Sequence, residues 1–193
     1  LIDLAKAQDL ALSLLKNHLP ASLAYHSPNH TMDVVEQALF IAAAEHITDP
    51  YALGLLESAA WFHDTGFSRT YQEHELESCK IASELLPQCG ATPLDIALVN
   101  QLIMDTCLPQ KPKSKLGQVL CDADLDYLGR NDFDIHSNNL RKEWLQIGII
   151  KSASDFDPIQ IRFLKNHEYF TPYSRRVRKP AKEAKLALLL AAV

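Results

Sequence analysis

The chain has little of what marks several large classes of protein. None of its four cysteines, Cys79, Cys89, Cys107 and Cys121, stands in a C-x-x-C pair, which removes the common zinc-thiolate and dithiol motifs. They fall in apolar helical surroundings and read as reduced, small buried residues, the usage expected of a cytoplasmic protein. No apolar run approaches the roughly 20 residues that a membrane-spanning helix needs, so no membrane association is expected. The stretch from Leu186 to Val193 is apolar but short, and it is expected to dock a last helix. Positive charge is not in excess either: the net charge is -5 with histidine neutral, so stable nucleic-acid binding is not expected. The one basic cluster, Arg175, Arg176, Arg178, Lys179, Lys182 and Lys185, reads as a solvated helix face, with steering of an anionic substrate as the alternative. The chain opens on Leu1 rather than methionine, and an N-terminal trim is expected.

No alternating strand-like run, internal repeat, low-complexity tract or domain-splitting linker interrupts the 193 residues. What is present is helical periodicity in an ordinary globular composition, 47% hydrophobic and 22% charged. Ser27-Pro28, Asp49-Pro50, Thr92-Pro93 and Thr171-Pro172 each pair a capping residue with proline at the first helical position. Helices are predicted over 4–19, from 28 to about 47, 50–63, 71–86, 93–106, 116–128, 133–152, 157–168, and in a last basic segment after Pro172. The expected fold is therefore all-α, one domain over residues 1–193 with eight or nine helices.

Four ionisable side chains fall where this periodicity calls for apolar ones. His30 shares a face with Val34, Ala38 and Ile41, at helical spacings of three and four. His63 continues the stripe of Leu53, Leu56 and Ala60, with Asp64 beside it, and Asp124 follows Leu116 and Leu120. A lone inward histidine is usually a satisfied core residue. Three helices each delivering such a group change that reading, because buried carboxylates are costly unless neutralised. Asp64 also precedes Thr65-Gly66, a predicted helix C-terminus, where the helix dipole disfavours negative charge. A divalent cation would resolve these conflicts together. Two imidazoles and two carboxylates without thiolate suit Mn, Fe, Co, Ni or Mg, with Zn also compatible.

The order of these residues resembles that of the HD superfamily of metal-dependent phosphohydrolases. The matching segments are Tyr25-His26-Ser27-Pro28-Asn29-His30-Thr31, Ala59-Ala60-Trp61-Phe62-His63-Asp64-Thr65-Gly66 and Cys121-Asp122-Ala123-Asp124-Leu125-Asp126. A later stretch, Leu140-Arg141-Lys142-Glu143-Trp144, resembles a bacterial branch of predicted HD phosphohydrolases. The resemblance implies His30, His63, Asp64 and Asp124 as metal ligands. Asp122 is a competing ligand, otherwise expected in an outer or helix-surface role. The first segment is also similar to that of cyclic-nucleotide phosphodiesterases, which implies His26 as the group protonating the leaving oxygen. Their glutamine-and-aromatic nucleotide clamp is not located in this sequence. A further histidine of the family implies His74 as a contact to phosphate or to a second metal, with a surface position as the alternative. Arg69 and Arg141 are candidate phosphate-binding residues, although a structural ion pair is the commoner fate of such arginines. His18, His46, His136 and His167 fit solvated or loop positions.

The function expected from these residues is metal-dependent hydrolysis of a phosphomonoester or phosphodiester, with a nucleotide as the favoured small-molecule substrate. Asp64 would orient or deprotonate the attacking water. The alternatives are a non-catalytic nucleotide-sensing or regulatory module that retains its metal, and a cyclic-nucleotide phosphodiesterase. A homodimer is compatible with either.

Overall fold

Proline and short capping side chains begin most of the helices, and the computed structural model, which describes residues 1–191, shows how. The α-helices are α1 (Leu4–His18), α2 (Pro28–Ala44), α3 (Pro50–Phe62), α4 (His74–Leu85), α5 (Pro93–Asp105), α6 (Lys115–Asp124), α7 (Phe133–Gln146), α8 (Phe156–Asn166), α9 (Pro172–Val177) and α10 (Lys179–Ala191). No strand occurs among the described residues. Ser27 accepts a hydrogen bond from the His30 amide, Asp49 from those of Tyr51 and Ala52, and Thr171 from that of Ser174. Thr92 and Asp95 form a reciprocal capping box.

Four helix ends differ from expectation, each for a local reason. α2 stops at Ala44 because His46 turns left-handed at φ 58°, and the Ile47 amide then bonds back to the Ala42 carbonyl. α7 ends at Gln146 rather than 152, where Gly148 takes φ 77°. α6 ends at Asp124, and the chain tightens into a 3₁₀ turn over Asp126–Gly129. The last predicted helix is two, α9 and α10, because Pro180 cannot donate to the turn before it. That break gives ten helices among the described residues, nine of them of seven residues or more, in keeping with the expected eight or nine. Residues 192 and 193 of the apolar C-terminal stretch lie outside the described residues.

α2, α3, α5 and α6 pack on one another, with α1 against α3 and α4 against α5. Their shared core includes Ala38, Ala42, Ala59 and Ala60, all fully buried, so α2 and α3 approach closely. A second cluster, built on Tyr25, Leu125, Tyr127, Leu128, Phe133, Leu164 and Tyr169, joins the chain after α6 to α7 and α8. α10 packs on α8 and on the Asp126–Gly129 turn, with Leu186 and Leu189 against this cluster.

The basic cluster is not simply a solvated face. Lys182 is 3% exposed and its ammonium donates to the His167 carbonyl. Arg178 Nε donates to Asp126 at 2.8 Å, Arg175 Nε to the Tyr169 carbonyl, and Lys185 to Asp134. The cluster is thus the polar attachment of the C-terminal helices. His167, expected in a solvated position, is buried beside Lys182. Cys79, Cys89 and Cys121 are buried free thiols and Cys107 is half-buried. No described helix is long and apolar enough to cross a membrane.

Candidate metal centre

α2 enters the bundle at the end where α3 and α6 leave it, and the four inward ionisable groups meet there. His30 lies in the first turn of α2; His63 caps α3 with Asp64 after it; Asp124 is the last residue of α6. His30 Nε2 stands 3.3 Å from Asp64 Oδ2 and 3.3 Å from Asp124 Oδ1. His63 Nε2 stands 3.3 Å and 3.6 Å from the same two oxygens. One donor atom each from His30, His63 and Asp124 lies within 4.8 Å of the others, close enough to hold one ion. Donor atoms about 2.1 Å from a shared ion stand roughly 3.0 to 3.4 Å apart, for right-angle to tetrahedral spacing. The observed separations are of that size.

The donor atoms are also unpartnered. His30 Nε2, His63 Nε2 and Asp64 Oδ2 are buried and make no hydrogen bond, an arrangement that costs free energy unless something else occupies the point they face. His63 Nδ1 lies 2.8 Å from the Ala60 carbonyl oxygen, so it carries the proton and Nε2 presents its lone pair to that point. Burial disfavours charge on His30, yet the carboxylates of Asp124 and Asp64 raise it to about 9. Burial likewise disfavours charge on His63, and Asp64 foremost raises it well above the ordinary histidine value. Burial raises both acids, but His63 and His30 hold Asp64 well below the carboxylate range and His30 with His63 hold Asp124 at about 2. Protons on the imidazoles and a cation thus compete for the same carboxylates.

The His63-Asp64 turn is set by α4. Thr65–Ser68 forms a 3₁₀ turn whose Gly66 amide donates to Ser78 Oγ at 2.8 Å. A Cβ on Gly66 would stand 1.9 Å from the His74 carbonyl oxygen, so only glycine lets α4 approach this closely. The approach brings His74 Nε2 to 3.4 Å from Asp64 Oδ1, with its ring stacked on Phe67 at 3.9 Å. His74 is therefore part of the site wall and not an exposed first-turn residue.

A cavity of about 290 Å³ opens beside the cluster, lined by Asp64, Asp124, His26 and His74 on one side. His26 Nδ1 is 2.5 Å from Glu143 Oε1. Glu143, fully buried, accepts also from the backbone amides of Tyr25 and His26 and from the Tyr71 hydroxyl. Burial pushes the Glu143 carboxyl up, but the His26 ring and these amides hold it below its usual range, so it stays ionised. With Nδ1 committed, the free ring nitrogen of His26 is Nε2. The sequence pattern assigns Glu143 no role, since it is one acid set among Arg141, Lys142 and Trp144.

The other candidates lie elsewhere. Asp122 is fully buried rather than at the helix surface, and it accepts from the amides of Phe170 and Thr171 at 2.8 Å each, which ties the C-terminal segment down. Arg69 is spent on Glu77 and Glu84, at 2.9 Å each, and Arg141 on Asn138. Neither arginine lines the cavity. Gln160 and Phe163 do line it, a glutamine beside aromatic rings that the sequence pattern did not reveal, with the Gln160 amide nitrogen donating to Ser137.

The all-α bundle carries this cluster at one end. The chain is similar to the crystal structure of a predicted HD superfamily hydrolase from an uncultured Thermotogales bacterium, with a TM-score of 0.61 and 21% identity, covering 97% of this chain and 89% of that one. At that identity the likeness establishes the fold. No protein-family model and no curated protein matches the chain.

Proposed function

We propose that the protein is a metal-dependent phosphohydrolase acting on a phosphomonoester or phosphodiester, with His30, His63, Asp64 and Asp124 as the ligands of a divalent ion. One observation carries this reading: buried donor atoms of three of these residues, without hydrogen-bond partners, beside an open cavity that also holds His26. A bound divalent ion supplies Lewis-acid polarisation of a phosphoryl oxygen and lowers the pKa of a water at the site. Asp64 accepts a proton from the attacking water as its oxygen bonds to phosphorus. The bond from phosphorus to the ester oxygen breaks, and His26, protonated on Nε2, gives its proton to that oxygen. Glu143 fixes the His26 ring through Nδ1, which leaves Nε2 to face the leaving oxygen. His74, 3.4 Å from Asp64, orients that carboxylate from the other side.

The competing reading, a sensing module with a structural ion, predicts a closed site. Asp64 and Asp124 instead face an open cavity, which supports turnover. The nucleotide substrate implied by the resemblance receives no such support, because no lysine or arginine lines the wall. Metal-loaded protein assayed on a phosphoester panel should release phosphate, and Asp64→Ala should abolish that release with the helical circular-dichroism spectrum intact. Equal turnover by wild type and Asp64→Ala would refute the assignment.

A further inference from the structure

We propose that the substrate is a singly phosphorylated compound with an apolar organic body, held by a hydrophobic subsite that α8 contributes. This rests on the phosphohydrolase reading above and narrows it. α8 presents Phe156, Ile159, Gln160 and Phe163 to the cavity, the i, i+3, i+4, i+7 face of one helix. Such a stripe ordinarily packs against another element. Here it lines the cavity together with Leu140 and Trp144.

Charge argues the same way. The cavity wall carries Asp64, Glu75 and Asp124 and no lysine or arginine. Three arginines that could have served are committed elsewhere: Arg69 to Glu77 and Glu84, Arg130 to Asp33 and Asp132, and Arg178 to Asp126. One phosphate can be neutralised at the ion. Beyond the ion, His26 and His74, a second or third phosphate would meet apolar and acidic side chains with no lysine or arginine to balance it, which is unfavourable. An apolar body, in contrast, gains from leaving water against these rings. Nucleoside di- and triphosphates are therefore excluded as good substrates. At about 290 Å³ the cavity suits a small molecule of one or two rings.

The test uses two esters with leaving alcohols of similar basicity, 2-(1-naphthyl)ethyl phosphate and ethyl phosphate, on manganese-loaded protein. Calorimetric titration of the two matching non-hydrolysable phosphonates supplies a readout independent of turnover. The naphthylethyl compounds should show at least tenfold higher kcat/KM and at least tenfold tighter binding. Ile159→Arg and Phe163→Ala, both at partly exposed positions, should each shrink that ratio, with the fold checked by circular dichroism. Selective phosphonate binding without hydrolysis of any ester would uphold the apolar subsite and reject the hydrolase reading. Hydrolysis of both esters at equal kcat/KM, with equal phosphonate binding, would overturn the apolar subsite and leave the hydrolase reading standing. A better kcat/KM for adenosine triphosphate, or for a 3′,5′-cyclic mononucleotide, than for the naphthylethyl ester would also overturn it, the cyclic nucleotide pointing to base recognition through Gln160.

Discussion

His26 and Glu143 form the pair on which the proposed proton delivery depends. A carboxylate with no exposed surface, bonded to two backbone amides, a tyrosine hydroxyl and an imidazole, is a fixed orienting group. Glu143→Gln keeps the shape and removes the charge. It should lower kcat by about 10²-fold with KM little changed, within the range assigned to general acid catalysis. A rise in KM with kcat retained would mean that Glu143 serves binding or the fold and not proton delivery. The convergence of His30, His63 and Asp124 was legible in the sequence because each occupies a position in an apolar stripe. Glu143 was not, because an acid between lysine and tryptophan on a helix looks like surface. Nor could spacing alone show that Glu77 and Glu84 absorb Arg69; that depends on how α4 lies against the turn before it.

At the scale of elements, the His63-Asp64 turn is held in place by the contact of α4 with Gly66. Gly66→Ala would force a methyl group into the His74 carbonyl oxygen. The expected cost is about 3 kcal/mol, the upper part of the range for overpacking, read as a lower midpoint in urea unfolding. A cost below about 0.5 kcal/mol would mean that the turn relaxes freely and that the contact does not define the site. The starts of α2, α3, α5 and α9 were legible, since a capping side chain followed by proline is a local signal. α4 begins at His74 and not at 71, and the start of α10 was not anticipated. Helix ends were less legible. α7 is closed by Gly148 and α2 by a left-handed His46, a conformation for which histidine gives only a weak sequence signal.

Across the whole molecule, the C-terminal third is attached by polar contacts as much as by apolar ones. Asp122 holds Phe170 and Thr171, Asp126 holds Arg178, and Lys182 reaches the His167 carbonyl. Burial, with Lys182 nearby, depresses His167 from 6.5 to about 3. The unfolded chain therefore takes up a proton at this residue before the folded chain does. Stability from this source is intact above pH 6.5 and falls as pH drops from there towards about 3. The loss is up to about 1.4 kcal/mol per pH unit. His167→Gln should flatten the fall, measured as the difference between the two unfolding free energies over pH 7 to 5; parallel curves would remove His167 from the account. That the molecule is all-α was evident from periodicity. The dual use of the basic C-terminal residues, as anchors instead of a solvated face, required knowing which acids they meet.

Under the proposed function a divalent ion sits where α2, α3 and α6 converge, and metal binding tests that assignment without assuming any substrate. Equilibrium dialysis against Mn²⁺ at pH 8, followed by elemental analysis, should find at least one tightly held ion per wild-type chain. His63→Ala and Asp64→Ala should each lose that ion while keeping the helical spectrum. Wild-type protein that retains no metal, or variants that retain as much as wild type, would contradict the assignment of the site.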